Sequence, residues 1–430
     1  MPFSSPASPR RVERNARLDP MGIYGTRSAR RRQQLQRRRH IQNALLWLVG
    51  VFALGFGIWW LWQPHPTLLR ASWTLQLPFR PATAPAASGE GALSEGAILL
   101  ASQSGSLWRF KPQTPAQKPQ RIFTTAFAPG APLLVTRQSI FWPGGDGILW
   151  SLDQNGKKKW SRALSSALAT QPALSRTPRG AVVVAGDDSG QIAAFDARSG
   201  TPKWKASLGG APGEAITAWD GPLASFVVPV LAGAGSLGGL KCFDAQSGAL
   251  RWRFPTDSRA PGAGVAAPAI SQNRVFWCND EGAIIALDAR SGRKIWKSFA
   301  TSLSRQNTGK PDQNFIVLRG APVVAEAQNV VVVGGNDGVL RAFDLKTGAS
   351  RWTKNLGGPI HFAAQSIVFE GQNALLTSGD TPEIFLLEAE SGRTLRRWTT
   401  PFAANFGVVA SGKQALALDA EGHLQSAWLR

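Results

Sequence analysis

Short apolar runs recur along most of the chain, and each is cut off by a small polar cluster. Ala181-Val182-Val183-Val184-Ala185 and Val330-Val331-Val332-Val333 are two of these runs. The clusters that follow such runs end in or contain glycine: Asp187-Asp188-Ser189-Gly190, Asn336-Asp337-Gly338, Asp280-Glu281-Gly282 and Gly145-Asp146-Gly147. This pattern predicts strands joined by two-residue hairpin turns, with glycine supplying the positive φ. A second strand, such as Gln191-Ile192-Ala193-Ala194-Phe195, returns from the turn. Short innermost strands are read upstream, at Gln171-Pro172-Ala173-Leu174 and Ala321-Pro322-Val323-Val324. No sustained 3.6-residue period competes with this all-β reading.

The second strand of each unit ends in a recurring phrase. Phe195-Asp196-Ala197-Arg198-Ser199-Gly200 leads to Trp204, and Phe243-Asp244-Ala245-Gln246-Ser247-Gly248 to Trp252. Leu287-Asp288-Ala289-Arg290-Ser291-Gly292 leads to Trp296, and Phe343-Asp344-Leu345-Lys346-Thr347-Gly348 to Trp352. A shorter copy, Asp153-Gln154-Asn155-Gly156, leads to Trp160. A decayed one, Glu388-Ala389-Glu390-Ser391-Gly392, is followed by Trp398. In the full copies Gly stands four residues after Asp and Trp eight after it. The Asp side chain suits capping of main-chain amides in a turn, and the Gly suits a left-handed backbone. The Trp falls on the next, outer strand.

The unit is therefore a four-stranded sheet repeated every 44 to 56 residues. Such a period signals a repeat architecture. One small sheet cannot bury both faces, whereas radial stacking buries them and leaves only short edges. Each Trp is expected to dock on the neighbouring blade over the turn Gly, where burial of its ring is worth roughly 2–3 kcal/mol. Residues 71–430 fit eight blades, with seven the alternative. The C-terminus supplies three strands only, near 406–409, 415–418 and 424–428. Ser72-Trp73-Thr74-Leu75-Gln76-Leu77 reads as an orphan outer strand, so first and last strands should pair to close the ring.

The Asp-x-x-Ser/Thr-Gly-x-x-x-Trp phrase resembles the tryptophan-docking repeat of the PQQ-type β-propellers. The resemblance covers about residues 71–430. It implies one of two kinds of protein: quinone- and calcium-binding dehydrogenases, or a non-catalytic branch that includes BamB-like propellers of outer-membrane protein assembly. Many alcohol-oxidising members carry a disulfide between adjacent cysteines over the quinone. Here Cys242 and Cys278 are far apart in sequence, and the quinone site cannot be carried over residue by residue. The BamB-like branch is the better match, although its members are typically lipoproteins and no cysteine stands near the N-terminal apolar stretch here.

That stretch changes the picture of the whole chain. Residues 1–40 hold eleven Arg against Glu13 and Asp19 and are rich in Ser and Pro, so a disordered tail is expected. Ala44 to Trp62 is uncharged and ends in aromatic residues, long enough to span a bilayer core. We read 41–63 as a transmembrane helix, 64–70 as a linker and 71–430 as the propeller. The Arg clusters before the helix predict a cytoplasmic N-terminus and an extracytoplasmic propeller, periplasmic where an outer membrane exists. A cleaved signal peptide fits less well, since Gln63-Pro64-His65-Pro66 offers no small-x-small site. The formal net charge is +21. The tail's share suits anionic lipid head groups, and a nucleic-acid role is not expected. In an oxidising compartment Cys242 and Cys278 are either bonded or buried as free thiols.

Candidate catalytic chemistry is sparse. Gly233-Ala234-Gly235-Ser236-Leu237-Gly238 matches a dinucleotide fingerprint, but a strand follows where a helix is required, so a long Gly-rich hairpin loop is expected. His40, His65, His361 and His423 lack metal-ligand spacing. Asn336-Asp337-Gly338 lacks the remaining ligands of a calcium loop. No catalytic residue, cofactor site or metal site is therefore assigned. One irregularity remains: Trp296 to Trp352 is 12 residues longer than Trp252 to Trp296. The surplus falls in 301–318, and Arg305, Lys310, Asp312, Asn314 and Phe315 form a candidate interaction loop, since long loops on a rigid scaffold often bind partners. The expected function is a membrane-anchored scaffold for an envelope protein. A quinone-dependent oxidoreductase and a ligand-binding sensor are the alternatives.

Overall fold

The computed structural model describes residues 68–69, 72–87, 97–112, 118–220, 223–233, 236–255, 264, 266–300 and 316–429. The expected transmembrane helix and tail lie outside them, as do Arg305, Lys310, Asp312, Asn314 and Phe315. Among the described residues no helix is long and apolar enough to cross a membrane.

Eight antiparallel sheets make up the unit Pro66–Arg430. Blade one comprises Ala86–Ala87, Ile98–Ala101, Ser106–Phe110 and Gln120–Thr124. Blades two to four run in the same order through Leu134–Val135 to Lys158–Ala163, Ala173–Thr177 to Pro202–Ser207, and Thr217–Trp219 to Leu250–Phe254. Blades five to seven start at Ala269–Ser271, Val323–Ala325 and Gln365–Phe369. First strands of adjacent blades neighbour one another around the ring, blades two and three are joined by Gln171 Nε2 donating to Leu133 O, and Ala86–Ala87 meets Val408–Ser411, so the sheets form a closed ring. The fold is an eight-bladed β-propeller, as the repeat predicts.

Closure follows the expected route. Blade eight holds Val408–Ser411, Gln414–Leu418 and His423–Trp428, and its outer strand is Trp73–Gln76 from the other end of the chain. Trp73 pairs with Ser426 and Gln76 with His423, antiparallel. One addition was not anticipated. Leu68–Leu69, in the stretch read as a linker, forms a fifth strand on blade seven, parallel to Thr394–Thr399.

The second and third strands of each blade are its most buried, because they face neighbouring blades on both sides. Val330–Gly334 and Val339–Asp344 are buried throughout. Outer strands alternate, as in Ser350–Asn355, with one side on the next blade and one in water.

Two local expectations are corrected. The hairpin turns are three-residue, not two-residue. Asp187 N–H donates to Gln191 O and Gly190 N–H to Asp187 O, and Gly190 alone takes a positive φ, 82°. This is a type I turn closed by a left-handed Gly, which leaves Asp188 and Ser189 in ordinary backbone regions. The Gly233–Gly238 region is not a long loop either. Ser225–Gly233 and Ser236–Asp244 stay paired out to Gly233 opposite Ser236. Both strands run nine residues.

Candidate functional site

The two ends of the ring differ chemically. The lower face carries the Asp-x-x-Ser/Thr-Gly turns and the turns between first and second strands. The upper face carries the turns between second and third strands and the blade-to-blade connections.

On the lower face the repeat residues act as joints between blades. Asp196 Oδ1 accepts from the Arg198 amide at 3.1 Å, the Ser199 amide at 2.9 Å and Ser199 Oγ at 3.0 Å. Asp244 does the same for Gln246 and Ser247, and Asp344 for Lys346 and Thr347. Asp288 holds Ser291, and the short-turn Asp153 holds the Asn155 and Lys157 amides. The turn then presents a carbonyl to the preceding blade's tryptophan. Trp160 Nε1 donates to Ala197 O at 3.2 Å, Trp204 to Ala245 at 3.0 Å and Trp252 to Ala289 at 2.9 Å. Trp296 donates to Leu345 and Trp352 to Ala389, both at 3.1 Å.

The glycine under each ring is required twice over. Gly200, Gly248, Gly292, Gly348 and Gly392 have φ between 69° and 73°. A Cβ on any of them would fall 2.5–2.7 Å from the docked indole. Gly156 has no Trp above it, and its Cβ would meet the Ile122 carbonyl. These bonds set the carboxylate pKa values. The Ser199 amide is the main cause holding Asp196 below its ordinary range. For Asp244 burial pushes upward, but Ser247 and Arg251 outweigh it. Burial of Asp344 is likewise outweighed by Arg351 and Thr347, and its pKa falls to about 2.

The joint is absent where the ring is sealed. Arg396, not Trp398, stands opposite Leu386, the register place that Trp352 takes opposite Ala342. Trp398 is fully buried, and its Nε1 has no hydrogen-bond acceptor among the described residues. Blade eight has no continuous turn for a tryptophan to dock on, because its outer strand comes from the N-terminal end.

The upper face carries the variable chemistry. Connections between blades are nine residues long after blades one, two, three and six, and eight after blade seven. They lengthen to 14 residues after blade four and 23 after blade five. The latter contains the candidate interaction loop, and its flanks are fixed on this face. Ala300 N–H donates to Gly282 O at 2.7 Å, and the Val317 amide to Asn336 Oδ1 at 2.8 Å. Glu214 and Arg319 stand in the connections entering blades four and six. Burial raises the Glu214 carboxyl above its ordinary pKa, against the pull of Arg319. Between blades six, seven and eight a cavity of about 240 Å³ is lined by Pro359, His361, Phe362, Ser378, Gly379, Asp380, Ala404 and Asn405. Sequence reasoning missed this group, because its residues come from two blade-to-blade connections and the end of one hairpin between them.

No three His, Cys, Asp or Glu side chains converge among the described residues. Cys242, in the third strand of blade four, and Cys278, in the second strand of blade five, are free, fully buried thiols. Burial pushes Cys242 up to about 12 and raises Cys278 too.

The geometry defines an eight-bladed propeller whose blades are locked by docked tryptophans. The chain belongs to the PQQ-type propeller family whose model is described as outer membrane protein assembly factor BamB, and the match covers residues 73–235 and 214–427. The outer membrane protein assembly factor BamB of Yersinia pestis is 26% identical over 66% of this chain and 70% of its own length. A polyvinylalcohol dehydrogenase of Sphingopyxis sp. is 24% identical over 50% of this chain, which spans only 32% of that enzyme. Among solved structures, Sqt1 of Saccharomyces cerevisiae shares the fold at a TM-score of 0.66 and 8% identity, over 84% of this chain and 100% of its own.

Proposed function

We propose that the chain is an extracytoplasmic interaction scaffold, held at the cytoplasmic membrane by residues 41–63, that binds an envelope protein during outer-membrane protein assembly. The carrying observation is the family match, which runs through the ring from its first strand to its last. The upper face supports the same reading, because a rigid ring there presents two connections longer than the repeat needs. The Arg-rich tail stays in the cytoplasm and touches anionic head groups. Cross-linking in intact cells, then affinity capture and mass spectrometry, tests the proposal with the full chain and with one lacking 302–314. One envelope protein at near-stoichiometric yield, lost with the loop, is the expected result. Clean preparations without a partner would sink it.

A quinone-dependent oxidoreductase is the second reading, favoured by the polyvinylalcohol dehydrogenase relative. It requires quinone absorbance in natively purified protein. Its absence after reconstitution with quinone and calcium leaves the scaffold.

A further inference from the structure

A second concavity lies on the lower face, between blades two and three. The cleft has a volume of about 540 Å³, within the range of ligand sites. One wall is the turn Thr136–Ser139 with Lys159 beside it. The other is formed by Arg176, Thr177 and the turn Asp196–Arg198. Phe141 and Ala197 are buried beneath, and Leu174 and Ala181 half-buried. The docked Trp160 lies under this seam, bonded to Ala197 O.

Four cations line the cleft, Arg137, Lys159, Arg176 and Arg198, against one carboxylate, Asp196. That carboxylate is already engaged by two amides and a hydroxyl, with Lys203 at 3.9 Å. Arg176 reaches Asp220 at 3.9 Å, an exposed pair that neutralises little. Lys159 Nζ donates to Ser139 Oγ at 2.9 Å, which fixes its place without cancelling its charge.

The blade two–three seam is bridged farther out by Arg162 Nε donating to Gly200 O at 2.7 Å, whereas two other seams of this face are also bridged at the turns themselves. Between blades three and four, Thr177 Oγ1 bonds Gln246 Oε1 at 2.9 Å. Between blades five and six, Arg274 Nη1 donates to Leu345 O at 2.6 Å. Arg198 holds the turn position that Gln246 holds one blade later, two residues after the Asp. It lines the same cleft as Arg137 and Lys159. Like charges gathered in a concave site raise its potential and favour anions.

We propose that this cleft binds an acidic peptide segment of a partner protein. Arginine forks match carboxylates two oxygens at a time, and the apolar floor accepts the methylene stems. Single-stranded nucleic acid is disfavoured because the lining exposes no aromatic ring for bases to stack on; Phe141 is fully buried. The site faces away from the long connections, so it would hold a partner independently of the upper face.

The test is fluorescence anisotropy on the full chain in neutral detergent, with a labelled peptide of alternating glutamate and leucine. Saturable binding is expected that weakens with salt. R137E/R198E should weaken it about tenfold or more. R290E/K294E, the same charge change on blade five, should leave it within about twofold. An unchanged melting temperature verifies that each ring is intact. Equal losses in both double variants would overturn the proposal, as would no peptide binding. So would the finding that inorganic phosphate or phosphatidylglycerol vesicles, rather than the peptide, lose binding with R137E/R198E.

Discussion

Adding one methyl group to Gly248 places it 2.5 Å from the Trp204 ring, at a backbone φ of 73°. Ala there should cost about 2–4 kcal/mol, from left-handed strain and overpacking together. Urea unfolding measures this, and Gly371→Ala is the control, since it shares a positive φ but has open space around it. The turn carboxylates give a pH dependence whose sign is fixed. Asp196, Asp244, Asp288, Asp344 and Glu388 all have folded pKa values below their ordinary ones. Their contribution is complete above the unfolded pKa and is lost as pH falls through the folded values, ending near 2 for Asp344. Stability should drop progressively below about pH 4, and less steeply in Asp344→Asn. At the two thiols, burial predicts inertness. Ellman's reagent at pH 8 should label neither Cys242 nor Cys278 until denaturant is added. The Asp, Gly and Trp of each joint were legible in the sequence because their spacing repeats. Arg341 was not. It is buried and forms a two-pronged pair with Asp337, and nothing in an isolated Asn336-Asp337-Gly338 announces a cation four residues after the Asp.

A blade is stabilised from both sides, so the value of one strand depends on what its neighbours supply. Trp73 shows this. It stands opposite Ser426, packs edge-on against Phe110 of blade one at 5.6 Å, and anchors the sealing strand. Trp73 is half-buried, and Trp73→Ala should cost about 2 kcal/mol. It should also raise amide exchange in His423–Trp428 more than in the strands of blade four. If all blades loosened equally, Trp73 would be an ordinary core residue and not a seal. Three of the four strands per blade were readable from apolar runs and turn glycines. The innermost strands were harder, since Leu134–Val135 and Ala86–Ala87 are only two residues long. Leu68–Leu69 was beyond reach because parallel pairing to a distant edge leaves no local pattern. The exact turn form was missed for a similar reason. Asp-x-x-Gly serves two-residue and three-residue turns alike, and only the bonds around Asp187 distinguish them.

At the scale of the whole molecule, the two faces of the ring carry different chemistry. Repeated joints bear the packing on the lower face, while insertions between blades are free to vary above. The candidate sites were only partly legible. The long connection after blade five showed in the Trp296 to Trp352 interval, whereas the basic cleft is assembled from turns with no fixed interval between them. Deleting 302–314 should abolish partner capture and leave the melting temperature almost unchanged, because the flanks at Ala300 and Val317 are bonded to the blades themselves. A large fall in melting temperature would make the loop structural. The seal between first and last strands has a further consequence, for synthesis. Ser72 bonds to Ser426 across 354 residues of chain. A ribosome adding roughly 5–20 residues per second leaves the first strand waiting on the order of 20–70 s for its partner. Until then blade eight does not exist, and Trp73–Gln76 offers an unpaired edge to any protease or chaperone nearby. A chain that stops before His423–Trp428 never hides that edge.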